Sequence, residues 1–441
     1  MNKRNQKFRR APKIGFAFGL MAKILKGPIA LGTIRTGMVL GLRLLLQAGN
    51  LLLVARMLGP DFFGIFAGIA ALAVLLGTLS TFGTQLVLLG EVSKDPRNRD
   101  GVLSYAIPTT MLFAGFMLLL YLGLMLFWLS EDEVTWPVVL AIGLAEIVLQ
   151  PLFGLMSTEH HALGRVARAQ LLQNGPLVLR LIMAVIIFYF ELSPVLDIYA
   201  VGYLLASIIV LLLGACCLPK RWPGCRCWHM PSNDQWSRAF GYAAVNISKA
   251  GPAELDKTLA AKLLAMDVAG VYAAAARVVG AITLPVTALT LSALPRLFRE
   301  NAEQHFGSWR LLKWMYSLAL LYALILSAVL WIFAPILGEL FGRQYAGIGD
   351  IIRWFCLAPP GIAVRLIAGN VLMATGKPWF RVGFEVIGLG LLVLVGIWLA
   401  PNFGAKGMAL AVVCSEWGMA AVGSVLIILV SRAGISPNSK A

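Results

Sequence analysis

Long apolar runs separated by short polar connections dominate the chain. Each run is about 20 residues or longer, which is the length an α-helix needs to cross the hydrocarbon core of a bilayer. Transmembrane strands need only about ten residues, so runs of this length do not fit a sheet. The pattern predicts an all-α integral membrane protein with about twelve transmembrane helices. The predicted spans are 34–58, 63–90, 101–129, 134–158, 166–190, 196–218, 237–265, 269–295, 310–334, 349–375, 378–400 and 404–431.

A repeat relates the two halves of the chain. The segments 53–67 and 259–273 share Leu, Ala, Leu, Asp, Gly and Ala in register, at a constant offset of 206 residues. The same offset aligns Arg43 with Lys249. An even number of spans in each half starts both halves on the same side of the membrane, which predicts a parallel repeat of two pseudo-symmetric six-helix lobes around a central cavity. The predicted boundaries are a basic arm 1–33, an N-lobe 34–218, a linker 219–236, a C-lobe 237–432 and a tail 433–441.

Composition supports a membrane protein, and charge predicts its orientation. The 441 residues are 59% hydrophobic and 13% charged, with a mean hydropathy of +0.82, which is more apolar surface than a soluble protein could bury. The net charge of +16 raises nucleic acid as a partner, but 26 of the 37 Lys and Arg fall on the side of the termini and only five on the other side. Because Lys and Arg are enriched in cytoplasmic loops, both termini are predicted to be cytoplasmic. Membrane lipids, not nucleic acid, are the expected partners.

Motifs for nucleotide-driven or metal-dependent chemistry do not occur in the sequence. Gly376-Lys377 lacks the rest of a phosphate-binding loop, and there is no H-E-x-x-H, nucleophile elbow or dinucleotide fingerprint. Cys216, Cys217, Cys225, Cys227 and His229 do not have paired C-x-x-C spacing, so reduced structural thiols are expected and not a metal site. Glu159-His160-His161 is expected to be a solvated turn. We therefore predict no catalytic residue, no metal and no cofactor, and a protein that is not an enzyme.

Polar residues inside the spans form one stripe in each half. Arg43, Gln47 and Asn50 share a face of the first span, as Asn246, Lys249 and Asp256 do in the seventh. An unpaired charge against lipid tails costs several kcal/mol, so these faces are expected to line a wet cavity between the lobes. The other cations in the spans are Arg180, Lys257, Arg277 and Arg365, and the acids are Glu146, Glu254, Asp256 and Glu416.

The excess of cations favours an anionic ligand in that cavity. The alternative is that these residues form buried ion pairs that stabilise the bundle, for example Glu254 with Lys257. Gly175-Pro176 and Gly251-Pro252 lie near the polar stripes, and interrupted helices at matching depths are typical of transport sites, although an ordinary proline kink is equally compatible. The small-residue pairs Gly37/Gly41 and Gly64/Gly68 are expected to serve close helix packing.

The motif at the end of the first span indicates a family. Arg56-Met-Leu-Gly-Pro-Asp-Phe-Phe-Gly-Ile-Phe66, with its weaker echo at 262–272, resembles the polysaccharide flippases of the multidrug/oligosaccharidyl-lipid/polysaccharide (MOP) exporter superfamily, of the O-antigen-flippase type. The resemblance covers residues 30–432, and the second copy has Ala265-Met266 where the first has Gly-Pro. It implies ATP-independent movement of an undecaprenyl-diphosphate-linked oligosaccharide from the inner to the outer leaflet of a bacterial inner membrane.

The resemblance and the polar stripes together predict the site. Arg43 and Lys249 are expected to bind the diphosphate from opposite lobes, with Gln47, Asn50, Arg180, Arg277 and Arg365 as further substrate contacts. Glu254, Asp256 and Glu416 are candidates for coupling to H⁺ or Na⁺. Polysaccharide polymerase and assembly proteins are candidate partners.

Two other functions stay open. A multidrug antiporter of the same superfamily would favour an acidic cavity for cationic drugs, which the excess of cations opposes. A membrane-embedded polymerase or glycosyltransferase would require a large outer loop or a metal-binding pair of acids, and neither occurs in the sequence.

Overall fold

The computed structural model describes residues 28–128, 135–283, 309–375 and 377–434. Regular structure within these ranges is entirely helical. In chain order the helices are α1 (Pro28–Ser80), α2 (Thr84–Lys94), α3 (Arg99–Trp128), α4 (Trp136–Ala162), α5 (Val166–Tyr189), α6 (Val195–Cys216), α7 (Asn233–Leu263), α8 (Met266–Thr283), α9 (Trp309–Phe341), α10 (Ile348–Phe355), α11 (Ala358–Ala374) and α12 (Pro378–Gly434). Helix α4 contains one π-helical stretch, Leu144–Leu149.

Two of these helices, α1 and α12, each consist of two helices joined at a glycine. Gly59 has φ 71° and ψ 171°, and Gly404 has φ 60° and ψ −142°, which residues with a Cβ rarely adopt. Pro60 can begin the second helix of α1 because the first turn of a helix needs no N–H donor. In the second copy of the motif, Leu264 is extended and separates α7 from α8 without a Gly-Pro pair.

The helices confirm the all-α class and the prediction of about twelve spans. Nine helices in the described ranges are long and apolar enough to cross a membrane. Two of them, Gly41–Ser80 and Trp379–Val430, contain the glycine kinks and therefore supply two spans each. The remaining predicted span is α7, whose 31 residues are long enough but carry several charges. The division into two six-helix lobes stays a prediction.

One predicted span is more broken than its apolar pattern indicates. The span 63–90 is interrupted at Phe82 and Gly83, which both have positive φ. A Cβ at Gly83 would lie 2.2 Å from the backbone oxygen of Ala239. The break therefore lets the start of α7 approach the backbone more closely than a side chain would permit.

The two proline sites do not interrupt their helices. Pro176 lies inside α5 and Pro252 lies inside α7, and both helices continue through them. Of the two alternatives for Gly175-Pro176 and Gly251-Pro252, the continuous helices match the ordinary proline kink and not the interrupted helix. Proline inside a membrane helix is tolerated when neighbouring groups satisfy the freed carbonyl, so the dipeptides act at most as kinks.

Helices α1 and α7 pack against each other and join the two halves of the chain. Helix α1 packs against α5 and α7, and α7 also packs against α12. The polar connection between α6 and α7, which includes the 3₁₀ turn Cys225–Cys227, lies at the same end of the bundle as α2 and the start of α3. We call this the basic end. The end that contains Gly59 and the junction of α7 with α8 is called the opposite end.

Candidate functional site

At the opposite end, the two halves meet at a crossing of two glycines. A Cβ on Gly64 would lie 2.2 Å from the Met266 oxygen, and a Cβ on Gly270 would lie 1.9 Å from the Pro60 oxygen. Gly64 corresponds to Gly270, and Pro60 to Met266, at the offset of 206. The contact is therefore reciprocal, as expected at a pseudo-twofold axis. It confirms close packing at Gly64, and explains why both copies keep a glycine there.

The second glycine of this pair also packs closely, whereas Gly41 of the earlier pair does not, and the surroundings of Gly37 lie outside the described part of the structure. A Cβ on Gly68 would lie 2.4 Å from the Ala261 Cβ, which confirms its packing role. A Cβ on Gly41 would meet nothing within 4 Å, so the expected close contact at this position is wrong. Gly41 is exposed, on a face of α1 that points away from the contacts of Val39 and Arg43 with α5.

Further contacts join the halves at both ends of the bundle. At the opposite end, Arg56 Nε donates to the Leu340 oxygen at 2.8 Å, and the Tyr345 hydroxyl donates to the Ala55 oxygen at 2.8 Å. At the basic end, Arg238 Nη1 lies 3.6 Å from Glu91 Oε1. The polar positions of α1 and α7 lie between these two sets of contacts.

Arg43 lies on α1 and faces α5. Its Nη1 donates to Gln173 Oε1 at 3.2 Å, and Gln173 Nε2 donates to Ser157 Oγ at 3.0 Å. No carboxylate among the described residues lies within 4 Å of Arg43. A guanidinium has five N–H donors, so a single amide oxygen leaves most of them available. Arg43 is therefore a half-buried cation whose charge is not neutralised by a neighbouring side chain.

Sequence reasoning missed Gln173, which orients Arg43. Gln170, Gln173 and Asn174 are polar residues within a predicted span, on the turns of α5 that precede Pro176. Asn174 Nδ2 donates to the Val39 oxygen at 3.3 Å, so this polar stretch faces α1. The three polar residues within an otherwise apolar run indicate in the sequence that this face of α5 contacts another polar group.

The other members of the two polar stripes are only partly located. Gln47, Asn50 and Asn246 are half-buried. Lys249 belongs to helix α7, and its side chain lies outside the described part of the structure. By the offset, Arg43 and Lys249 each precede the motif turn by the same number of residues, so their backbones lie at matching depths, about 24 Å along the helix from Gly59 and Ala265. Their joint role in binding stays a prediction.

Arg180 belongs to a buried ion cluster that joins α4, α5 and α6. Its Nη2 donates to Glu146 Oε1 at 2.9 Å and to Ser207 Oγ at 3.2 Å, and the guanidinium stacks on the Tyr203 ring at 3.6 Å. The Tyr203 hydroxyl donates to the same carboxylate. Glu146 lies in the π-helical stretch of α4, and a Cβ on Gly77 would lie 2.3 Å from its backbone oxygen. The Arg180 charge is thus neutralised within the protein.

A second buried ion cluster joins α11 and α12. Arg365 Nε donates to Glu416 Oε2 at 2.6 Å, and Arg365 Nη1 lies 3.6 Å from Glu385 Oε1. Arg381 Nε donates to Glu385 Oε1 at 3.0 Å, and its Nη1 donates to Asn370 Oδ1 at 3.3 Å. Two cations and two carboxylates therefore balance one another.

Two members of this second cluster, Arg381 and Glu385, are not among the predicted site residues. Arg381 is only 1% exposed and Glu385 is fully buried, although both lie close to the basic end of the span 378–400. The two residues are four positions apart and so share a face of α12. That spacing, together with the apolar residues on both sides, was sufficient to indicate a buried pair.

The acids of α7 form a third group, close to the opposite end. Lys257 Nζ lies 3.3 Å from Glu254 Oε2 and 3.5 Å from Asp256 Oδ1, and the Tyr272 hydroxyl donates to Asp256 Oδ2 at 2.9 Å. The pair of Glu254 with Lys257 that the stabilising alternative predicts is therefore present. Arg277, on α8, lies over the rings of Phe63 and Phe66, at 5.5 and 5.8 Å from their centroids.

The structure divides the predicted cations into two groups. Arg180, Lys257 and Arg365 each lie within 4 Å of a carboxylate. Among the described residues, Arg43 and Arg277 have no such partner. The first group matches the alternative of buried ion pairs, whereas the second keeps its charge available to a ligand.

At the basic end, one prediction is wrong. Glu159 and His160 are buried rather than solvated, and only His161 is exposed. Glu159 accepts from Arg99 Nε at 2.6 Å and from Trp222 Nε1 at 3.1 Å. The connection between α6 and α7 therefore folds over this helix end, a tertiary contact that a local pattern does not show.

The cysteines are free thiols in this structure. Cys216, Cys217, Cys225 and Cys227 are all exposed. No group of three or more His, Cys, Asp or Glu side chains among the described residues could hold a metal ion.

Comparisons with known proteins give the family and the fold. The sequence matches the polysaccharide biosynthesis protein family over residues 29–300. No curated protein sequence matches the chain. The solved structures that resemble this chain share 12–16% of its sequence, so the resemblance shows a shared fold.

Three solved structures of transporters superpose on almost the whole chain. An inward-facing multidrug resistance MATE family transporter of the MOP superfamily has a TM-score of 0.68 and 16% identity, over 90% of this chain and 96% of that chain. An outward-facing one has a TM-score of 0.66 and 16% identity, over 94% and 99%. The lipid II flippase MurJ, in an inward closed conformation, has a TM-score of 0.70 and 12% identity, over 92% and 94%.

The family match extends over more than half of the chain, and the fold matches agree with it. The chain therefore belongs to the polysaccharide biosynthesis protein family, and it is a multi-pass membrane protein with the fold of MOP-superfamily transporters.

Proposed function

We propose that this protein moves an undecaprenyl-diphosphate-linked oligosaccharide across a bacterial inner membrane, from the cytoplasmic to the outer leaflet, without ATP. The observation that carries the proposal is the cation Arg43, which lies inside the bundle without a carboxylate partner in the described part of the chain. A diphosphate resists entry into hydrocarbon because of its charge, and fixed guanidinium donors can replace its hydration. Membership of the polysaccharide biosynthesis protein family supports a saccharide carried on a lipid as the cargo.

Lys249 would supply the second cation from the facing helix. Its backbone lies at the depth of Arg43 by the offset of 206 residues, and α1 packs against α7. Arg277 is a further candidate contact, because its guanidinium lies over the rings of Phe63 and Phe66 and has no carboxylate within 4 Å among the described residues. Gln47 and Asn50 would offer neutral hydrogen-bonding groups to the sugar. Arg180 and Arg365 remain candidate contacts, although their ion pairs favour a stabilising role.

Alternating access would use the contacts at the two ends of the bundle. The Gly64–Gly270 crossing would act as the gate at the opposite end. The contact of Arg238 with Glu91 would act as the gate at the basic end. Opening one set while the other stays closed would expose the polar stripes to one side of the membrane at a time.

Ion coupling would use the carboxylates of the second half. Asp256 and Glu416 are buried, whereas Glu254 is partly exposed. A proton or Na⁺ that replaced Lys257 or Arg365 as the partner of one of these acids would change the packing of α7 or α12. The competing role is charge neutralisation alone, which the present ion pairs also satisfy.

A reconstitution experiment tests the proposal against the antiporter. Purified protein in liposomes, with no nucleotide present, is given a fluorescent undecaprenyl diphosphate that carries a sugar, and a membrane-impermeant quencher measures the outward-facing fraction over time. The proposal expects faster exchange between leaflets than in protein-free liposomes. A parallel set of liposomes receives a fluorescent organic cation in a proton or Na⁺ gradient. Transport of the cation without exchange of the lipid would establish the antiporter instead.

A further inference from the structure

A groove at the basic end lies outside the proposed transport pathway. It has a volume of about 400 Å³, within the range of small-ligand sites. It is formed by the end of α4, the start of α5 and the end of α6, and neither α1 nor α7 contributes to its lining. Helices α4 and α6 end beside this groove and α5 begins there. The groove therefore lies at the level where the bundle would meet the membrane interface.

The groove has an apolar wall that faces outward. Leu171 and Leu213 line it, and they are 53% and 56% exposed. The neighbouring Leu212 is 61% exposed, so the apolar surface continues along α6 away from the basic end. In a membrane this surface contacts acyl chains. The space beside it arises because residue 175 is a glycine, whose missing side chain leaves Val210 as the floor.

The rim of the groove at the basic end is positively charged. Arg168 lines the groove and is exposed, and Arg165 lies one turn earlier. Neither has a carboxylate within 4 Å among the described residues. The adjacent carboxylate, Glu159, is already bound by Arg99 and Trp222. An anion at this rim would therefore meet two cations and no free acid.

One buried polar side chain on the groove wall is poorly satisfied. The His160 ring lines the groove and faces the backbone of Cys217, but neither ring nitrogen makes a well-aligned hydrogen bond with a described residue. Buried polar groups usually have a partner, and an unsatisfied one indicates a ligand or water at the site.

We propose that this groove binds one anionic phospholipid from the leaflet at the basic end. The phosphodiester would lie at Arg168 and Arg165, and one acyl chain would follow Leu171 and Leu213 into the bilayer. The acyl chain of a zwitterionic lipid would pack against the same apolar wall. Its ammonium group, however, would be repelled by the positively charged rim. The bound lipid would brace α5 against α6, one turn from Arg180 and Ser207 of the buried ion cluster.

The test uses full-length protein in a neutral detergent. Phosphatidylglycerol and phosphatidylcholine with identical acyl chains are titrated separately, and the melting temperature and the number of lipids retained in native mass spectrometry are measured. The proposal expects phosphatidylglycerol to raise the melting temperature more than phosphatidylcholine does, and one tightly held phosphatidylglycerol per chain. One cation near an anionic lipid contributes about 1 kcal/mol, so Arg168→Gln should weaken retention about fivefold.

The matched control is Arg226→Gln, which removes another exposed cation at the same end but outside the groove. It should retain lipid as the parent does. Equal retention by the Arg168 and Arg226 variants, or equal stabilisation by the two lipids, would overturn the proposal. Undecaprenyl phosphate is added in a third titration. If it displaces phosphatidylglycerol from the parent, and binds the Arg168 variant less tightly, then the groove belongs to the carrier lipid and the phospholipid proposal is wrong.

Discussion

The crossing of Gly64 with Gly270 gives the sharpest structural prediction. Gly270→Ala would place a Cβ 1.9 Å from the Pro60 oxygen and 3.0 Å from the Gly64 nitrogen. Ordinary contact begins at about 3.4 Å, so the two helices must separate by more than an ångström. Overpacking of this kind costs about 1–3 kcal/mol. The substitution also gains up to about 1 kcal/mol of helix propensity, which offsets part of that cost.

Gly280→Ala is the matched control, because it lies on the same helix and its Cβ would meet nothing within 4 Å. It gains the same propensity without the clash. Thermal unfolding in detergent, followed by tryptophan fluorescence, should place Gly270→Ala below both the parent and the control. The control should be as stable as the parent, or slightly more stable.

A distance measurement separates opening of the crossing from general destabilisation. Asp61 and Asp267 are exposed, are related by the 206-residue offset and lie in the first turns of the two crossing helices. Spin labels at these positions, in a chain without its six native cysteines, should show longer distances in Gly270→Ala than in Gly280→Ala. Identical melting temperatures and distances in the two variants would refute the close crossing.

Four other substitutions test the assignment of roles. Arg180→Gln leaves a buried carboxylate unpaired and should cost roughly 3–5 kcal/mol of stability, measured as a large fall in melting temperature, whereas Arg43→Gln should cost less than about 1 kcal/mol. Arg99→Gln should loosen the connection over Glu159 and make it more sensitive to limited proteolysis; unchanged cleavage would contradict the buried pair. Glu416→Gln should alter the dependence of lipid exchange on pH or Na⁺ if this acid couples transport, and an unaltered dependence would leave it a structural role only.

The number and order of the helices could be predicted from sequence because hydropathy is a local property. Long apolar runs mark spans whichever neighbours they acquire, and the Leu-Gly-Pro turn marks a break because Gly59 and Pro60 suit a helix junction. The break at Phe82 could not be predicted in this way. It exists because α7 approaches the backbone at Gly83, and that approach depends on the whole bundle.

The depth of a charged residue in the membrane is easier to predict from sequence than the side chain that it contacts. Glu159 is buried because a distant connection brings Trp222 over it, and no local pattern contains that contact. The pair of Glu254 with Lys257 was predictable because the two residues are three positions apart. Gln173, the partner of Arg43, is 130 residues away, so sequence shows only that both positions are polar.

The proposed function requires Arg43 and Lys249 to carry the diphosphate across the membrane. The most direct measurement compares the rate of lipid exchange in liposomes between the parent and the Arg43→Gln/Lys249→Gln variant, with equal amounts of protein whose melting temperatures have been determined. A control variant, Lys262→Gln/Arg226→Gln, removes the same charge from exposed positions. The proposed role predicts that the first variant is folded but loses most of the exchange, that Arg43→Lys retains part of it, and that the control exchanges at the parental rate. A folded Arg43→Gln/Lys249→Gln protein that exchanges the lipid as fast as the parent would contradict the claim.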